Sequence, residues 1–99
     1  MPLPTLHMVD AAPQPVATFS HAAEADGWVY LTGQMPTWPQ EPDRALPDGV
    51  EAQTRRVMDN LAIVLDGIGL GLEHAVQVRI YLTEFERDYD AMNQTYKQY

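Results

Sequence analysis

From residue 49 to the end of the chain, hydrophobic positions fall into three blocks of different period. Val50, Thr54, Val57, Leu61, Val64, Leu65 and Ile68 recur at three- and four-residue steps, which places them on one face of a helix. Arg55, Arg56, Asp59 and Asp66 lie mostly elsewhere on that wheel. Asp48 and Glu51 have the spacing of a capping box, so the helix is expected to begin there, and Gly67, Gly69 and Gly71 are expected to end it. The period then drops to two. In HAVQVRIYLT, Val76, Val78, Ile80 and Leu82 face one way and Gln77, Arg79, Tyr81 and Thr83 the other, the strongest strand signal in the chain. Phe85, Tyr89, Met92, Tyr96 and Tyr99 return to helical spacing, with acids at the start and Lys97 near the end, as the helix dipole prefers.

The first half is broken by proline and glycine. Prolines 2, 4, 13 and 15 leave room only for a short edge strand, Leu6 to Val9. Asp26-Gly27 is a two-residue turn signal and predicts a β-hairpin with strands near 19–25 and 28–34. Residues 35–48, MPTWPQEPDRALPD, hold four prolines and no apolar period, so they are expected to form a surface crossover loop. Right-handed crossovers would then put both helices on one face of a single mixed sheet, giving a two-layer α+β sandwich.

At 99 residues the chain makes one small domain. It has no cysteine, which excludes disulfides, thiolate metal sites and cysteine nucleophiles. The formal net charge of -8, with six Lys or Arg, repels phosphate backbones and speaks against nucleic acid as a partner. No basic start precedes an apolar run, and no stretch approaches the ~20 apolar residues of a membrane span, so a cytoplasmic chain without membrane association is expected.

Several apparent motifs dissolve on inspection. GIGLG at 67–71 follows a helix instead of a strand, and its third glycine is one residue early for a dinucleotide loop. Glu84, Glu86, Asp88 and Asp90 alternate like calcium ligands, but Tyr89 and Thr95 occupy the positions where an EF-hand needs glycine and glutamate. His7, His21 and His74 are scattered without zinc spacing, and each is expected to be a surface or strand-packing residue. No metal or other cofactor is called for.

Four segments carry a family likeness. PVATFSHA, GWVYLTGQMP, AQTRRVMDNLAIVLDGIGLGLEHAVQVRIYLT and DAMNQTYKQY resemble, in order and spacing over about residues 11–99, the RidA/YjgF family of enamine/imine deaminases and translation inhibitors. The resemblance implies a chorismate-mutase-like sandwich assembled as a homotrimer, sheets lining the centre, with ligand clefts between subunits. It also implies hydrolysis of reactive 2-imino or enamine acids to 2-keto acids and ammonia. Such a reaction needs a cation for the substrate carboxylate, a polarised imine nitrogen and a positioned water.

By that resemblance Phe19 is an aromatic of the cleft, Thr32 and Gly33 lie on the strand that approaches the ligand, and Asn93 faces the cleft from the second helix. Each also has a structural reading: Phe19 as core, Gly33 as a bulge or close packing, Asn93 as an exposed helix residue. Two departures bear on activity. The deaminase pattern has tyrosine where this chain has Phe19, and the family's chain continues into two further strands that bring an arginine and a glutamate, so the 1–99 domain is expected to be incomplete at its C-terminus. Arg79 and Arg87 are read as surface pairing partners. The catalytic residues are thus left unassigned, and two readings stand: a 2-iminoacid deaminase, or a non-catalytic module binding a small carboxylate in the intersubunit cleft.

Overall fold

The computed structural model describes residues 3–15 and 19–99. Three strands, β1 (Thr5–His7), β2 (Ala22–Ala25) and β3 (Trp28–Leu31), form an antiparallel sheet in the order β1-β2-β3. Two helices follow, α1 (Gly49–Gly67) and α2 (Phe85–Tyr96), with a single 3-10 turn at Leu72–His74 between them. The expected α+β architecture is present. Part of the PVATFSHA segment, residues 16–18, lies outside the described residues.

The hairpin turn forms where the sequence predicts it. Asp26 and Gly27 have φ of 53° and 81°, the left-handed pair of a type I′ turn, and Ala25 opposite Trp28 closes the ladder. Both strands are shorter than the expected 19–25 and 28–34, although the Thr32 amide still donates to the His21 carbonyl at 3.1 Å, one step beyond the regular ladder. The N-terminal strand is displaced from the expected Leu6–Val9. Val9 leaves the sheet because it is needed in the core, 6% exposed, with its amide held by a side chain.

Helix α1 keeps part of its predicted face but not its predicted cap: Val64 and Leu65 are buried, and so are Met58 and Asn60, which lie off the predicted stripe. Asp48 makes no capping hydrogen bond, and Glu51 instead lies 3.9 Å from Arg55. Gln53 Nε2 donates to the Pro47 carbonyl at 2.9 Å and ties the first turn to the loop before it. At the other end, Gly69 (φ 79°) reverses the chain; its amide donates to the Asp66 carbonyl at 3.1 Å and that of Leu70 to Leu65 at 2.8 Å, the paired bonds of a Schellman motif.

Val9, Ala12 and Val64 form the centre of the core, with Leu31, Ile63 and Ile68 packed against it, so α1 closes over the strands and the segment after β1. Gly67 permits this closeness: a Cβ there would stand 2.5 Å from Val9 Cγ1. Helix α2 packs along α1, and the Tyr99 hydroxyl donates to Asp59 Oδ1 at 3.2 Å.

Two expectations are corrected. Residues 75–83 are not a strand, and the sheet is antiparallel instead of mixed. Among the described residues, no backbone hydrogen bond involves 76–83, and Val76 is 79% exposed. A period of two encodes which side chains share a face; a strand also requires a neighbouring backbone, and here none lies alongside. The α2 stripe is also less buried than its spacing suggests. Met92 is buried, but Phe85, Tyr89 and Tyr99 are exposed because no sheet lies beneath them.

Candidate functional site

Phe19, Thr32 and Gly33 come together at the open end of the hairpin. The Thr32 hydroxyl donates to the Ser20 carbonyl, which binds the residues before β2 to those after β3. Phe19 and Gly33 line one small hollow with Met35 and Thr37. Phe19 is 44% exposed, so it is not a core residue in this chain. No side chain approaches where a Gly33 Cβ would stand, which leaves its backbone open.

His21 forms the polar floor of that hollow and is 1% exposed. The Val9 amide donates to Nδ1 at 2.9 Å, and Nε2 lies 2.7 Å from the Pro13 carbonyl. An amide can only donate and a carbonyl can only accept. His21 is therefore neutral with its proton on Nε2, and both nitrogens are committed to the backbone. It shapes the hollow but has no nitrogen free to move a proton. With a volume of about 30 Å³, the hollow has room for one water and not for a substrate.

Asn93 lies elsewhere. It lines a groove of about 620 Å³ between α2 and the segment after α1, with Met58, Val76, Val78, Tyr96 and Lys97. That volume is in the range of small-ligand sites. Asn93 is half-buried, so its side chain is neither core nor free in solvent. The structure thus brings together three of the four expected residues and separates the fourth.

Sequence reasoning passed over two contributors. From the sequence Lys97 serves only the helix dipole, yet it follows Asn93 by four residues, a spacing visible in the sequence, and shares its groove. Asn60 lay inside the predicted helix without distinction. It is fully buried, and its Nδ2 donates to the Met35 carbonyl at 3.0 Å and the Thr37 carbonyl at 2.8 Å, holding the wall of the first hollow against α1. Among the described residues no cluster of three or more His, Asp or Glu could hold a metal ion, and no helix is long and apolar enough to cross a membrane.

The sequence model of the family described as Endoribonuclease L-PSP matches residues 9–99. A RutC family protein of Pyrococcus horikoshii is 31% identical over 88 residues, which cover 89% of this chain and 68% of that relative. Protein DfrA of Myxococcus xanthus is 36% identical over 92 residues, covering 91% and 69%. Among solved structures, RidA from the Antarctic bacterium Psychrobacter sp. matches with a TM-score of 0.81 at 28% identity, over 90% of this chain and 70% of that one. Escherichia coli TdcF with bound serine matches with a TM-score of 0.85 over 95% and 72%, and at 22% identity that likeness is one of fold.

Proposed function

The chain belongs to the RidA/YjgF family, and we propose that it takes part in hydrolytic deamination of reactive 2-imino or enamine acids to 2-keto acids and ammonia, in clefts between the subunits of a cytoplasmic homotrimer. The observation that carries this reading is the separation of the two half-sites. Phe19 and Gly33 line a hollow too small for a substrate, while Asn93 and Lys97 line a groove of ligand size. A cleft that uses both sets is made when the hairpin end of one copy faces the groove of another. TdcF, a relative in fold, was solved with bound serine, an amino acid of the size such a cleft would hold.

In this arrangement Lys97 attracts the substrate carboxylate, Asn93 hydrogen-bonds its polar end, and the open Gly33 backbone and the Thr32 region lie against the reacting carbon. Water adds to the imine carbon to give a carbinolamine, whose C–N bond breaks to release ammonia and the keto acid. Phe19 supplies an apolar wall without the hydroxyl of the family pattern. An assay in which an amino-acid oxidase generates the imine and semicarbazide traps it tests the proposal: the protein should lower semicarbazone formation, and Asn93→Ala should reduce the effect about tenfold, the cost of one lost hydrogen bond. Trapping at the rate seen in buffer would sink the catalytic reading.

A second reading is favoured by His21, whose nitrogens are both engaged: a non-catalytic module that binds a small carboxylate. Saturable binding of a 2-keto acid without turnover distinguishes it. RNA cleavage, despite the family description, is disfavoured by the net charge of -8.

A further inference from the structure

Six cations stand among fourteen carboxylate side chains in this protein, and three of the six have a carboxylate partner among the described residues. Arg44 pairs with Glu41 at 3.0 Å, Arg55 with Glu51 at 3.9 Å and Arg87 with Asp88 at 2.9 Å. Arg56 has no carboxylate within 4.0 Å among the described residues. The nearest acid along its helix face, Asp59, accepts the Tyr99 hydroxyl instead.

Arg56 is nevertheless fixed. Its Nε donates to Asn60 Oδ1 at 3.1 Å, and that amide is itself fully buried and anchored by two backbone carbonyls. Its guanidinium carbon lies 5.1 Å from the centroid of the Trp38 ring, and the same ring carries the Arg44 guanidinium at 3.8 Å. Trp38 is held in turn, its Nε1 donating to the Ala45 carbonyl at 2.9 Å. The Nε hydrogen bond leaves the two Nη groups of Arg56, with four N–H donors, without a protein acceptor among the described residues.

We propose that Arg56, set against Trp38, is a binding site for a small oxyanion, a carboxylate or a phosphate. A planar guanidinium edge matches the paired oxygens of either group, and its orientation is set before the ligand arrives. Arg44, on the same ring, is already paired with Glu41, so the free donors of the site are those of Arg56. Arg79 and Lys97 likewise lack a carboxylate partner among the described residues, but of these three cations only Arg56 is held by a side-chain hydrogen bond there. The site sits on α1 and the 35–48 loop and does not depend on the deaminase reading.

Trp38 is itself the reporter. In a Trp28→Phe background the only tryptophan left is the one under the two guanidiniums. Titration with inorganic phosphate and, separately, with acetate, at ionic strength held constant with chloride, should give a saturable change in its fluorescence, and the tighter of the two ions identifies the ligand class. Arg56→Gln should weaken binding at least tenfold, Arg56→Lys severalfold, and Arg55→Gln, one residue along, not at all. If Arg56→Gln does not fold, as judged by circular dichroism, the Arg56→Lys and Arg55→Gln pair decides. No saturable change with either ion, or equal binding by the wild type and the Arg56 variants, overturns the proposal.

Discussion

The two ends of this molecule treat their polar and apolar groups in opposite ways. Around His21 and Asn60, residues distant in sequence are joined by buried side chains whose donors and acceptors face backbone partners. From Val76 to Tyr81 an alternating apolar segment stands in solvent, without a backbone hydrogen bond among the described residues. The radius of gyration, 14.1 Å, exceeds the roughly 13 Å usual for a domain of this length, as the open second region would require. Buried polar groups are thus satisfied where the chain folds back on itself, and an alternating pattern alone has not produced a sheet.

The comparison can be broken at several points. His21→Phe should have the largest effect, since it strands the Val9 amide and the Pro13 carbonyl in the core; a loss of about 3 kcal/mol is expected from denaturant unfolding. Asn60→Ala should cost about 2 kcal/mol and release the 35–48 loop, seen as faster amide exchange there than in α1. Val76→Ser should change stability by less than about 0.5 kcal/mol, because its side chain is already 79% exposed. A loss as large as that of Asn60→Ala would mean the segment is paired in solution.

The smallest effect concerns Asp88. A hydrogen bond from Arg87 holds its carboxyl below the usual carboxylate range, and the charge of Arg87 acts in the same direction. The pair therefore favours the folded state above the unfolded carboxylate value, and this contribution is lost as pH falls through the depressed folded value. An NMR titration should show Asp88 protonating below the usual range of an aspartate, and Asp88→Asn should remove that step with little change in stability at neutral pH.

What could be read in the sequence was local chemistry. Asp26-Gly27 and Gly69 announce their conformations because few other residues tolerate positive φ, and part of the face of α1 follows from its spacing. What could not be read depends on groups far along the chain. Asp48 resembled a cap, but the first turn is instead tied back to the loop through Gln53. His21 and Asn60 were inconspicuous because their partners are backbone carbonyls and an amide, which carry no sequence signature. Phe19, Thr32 and Gly33 converge because one hairpin carries them; Asn93 does not, because nothing in the pattern of a helix says which hollow it will face.

The extended 75–83 segment also bears on handling of the protein. Arg79 is its only charge, and the surrounding residues are those that stack readily into intermolecular sheets. At neutral pH the acidic surface keeps molecules apart, but near pH 4.5, the isoelectric point, that colloidal protection vanishes. Arg79 is then the single charge left within the segment to oppose its pairing between molecules.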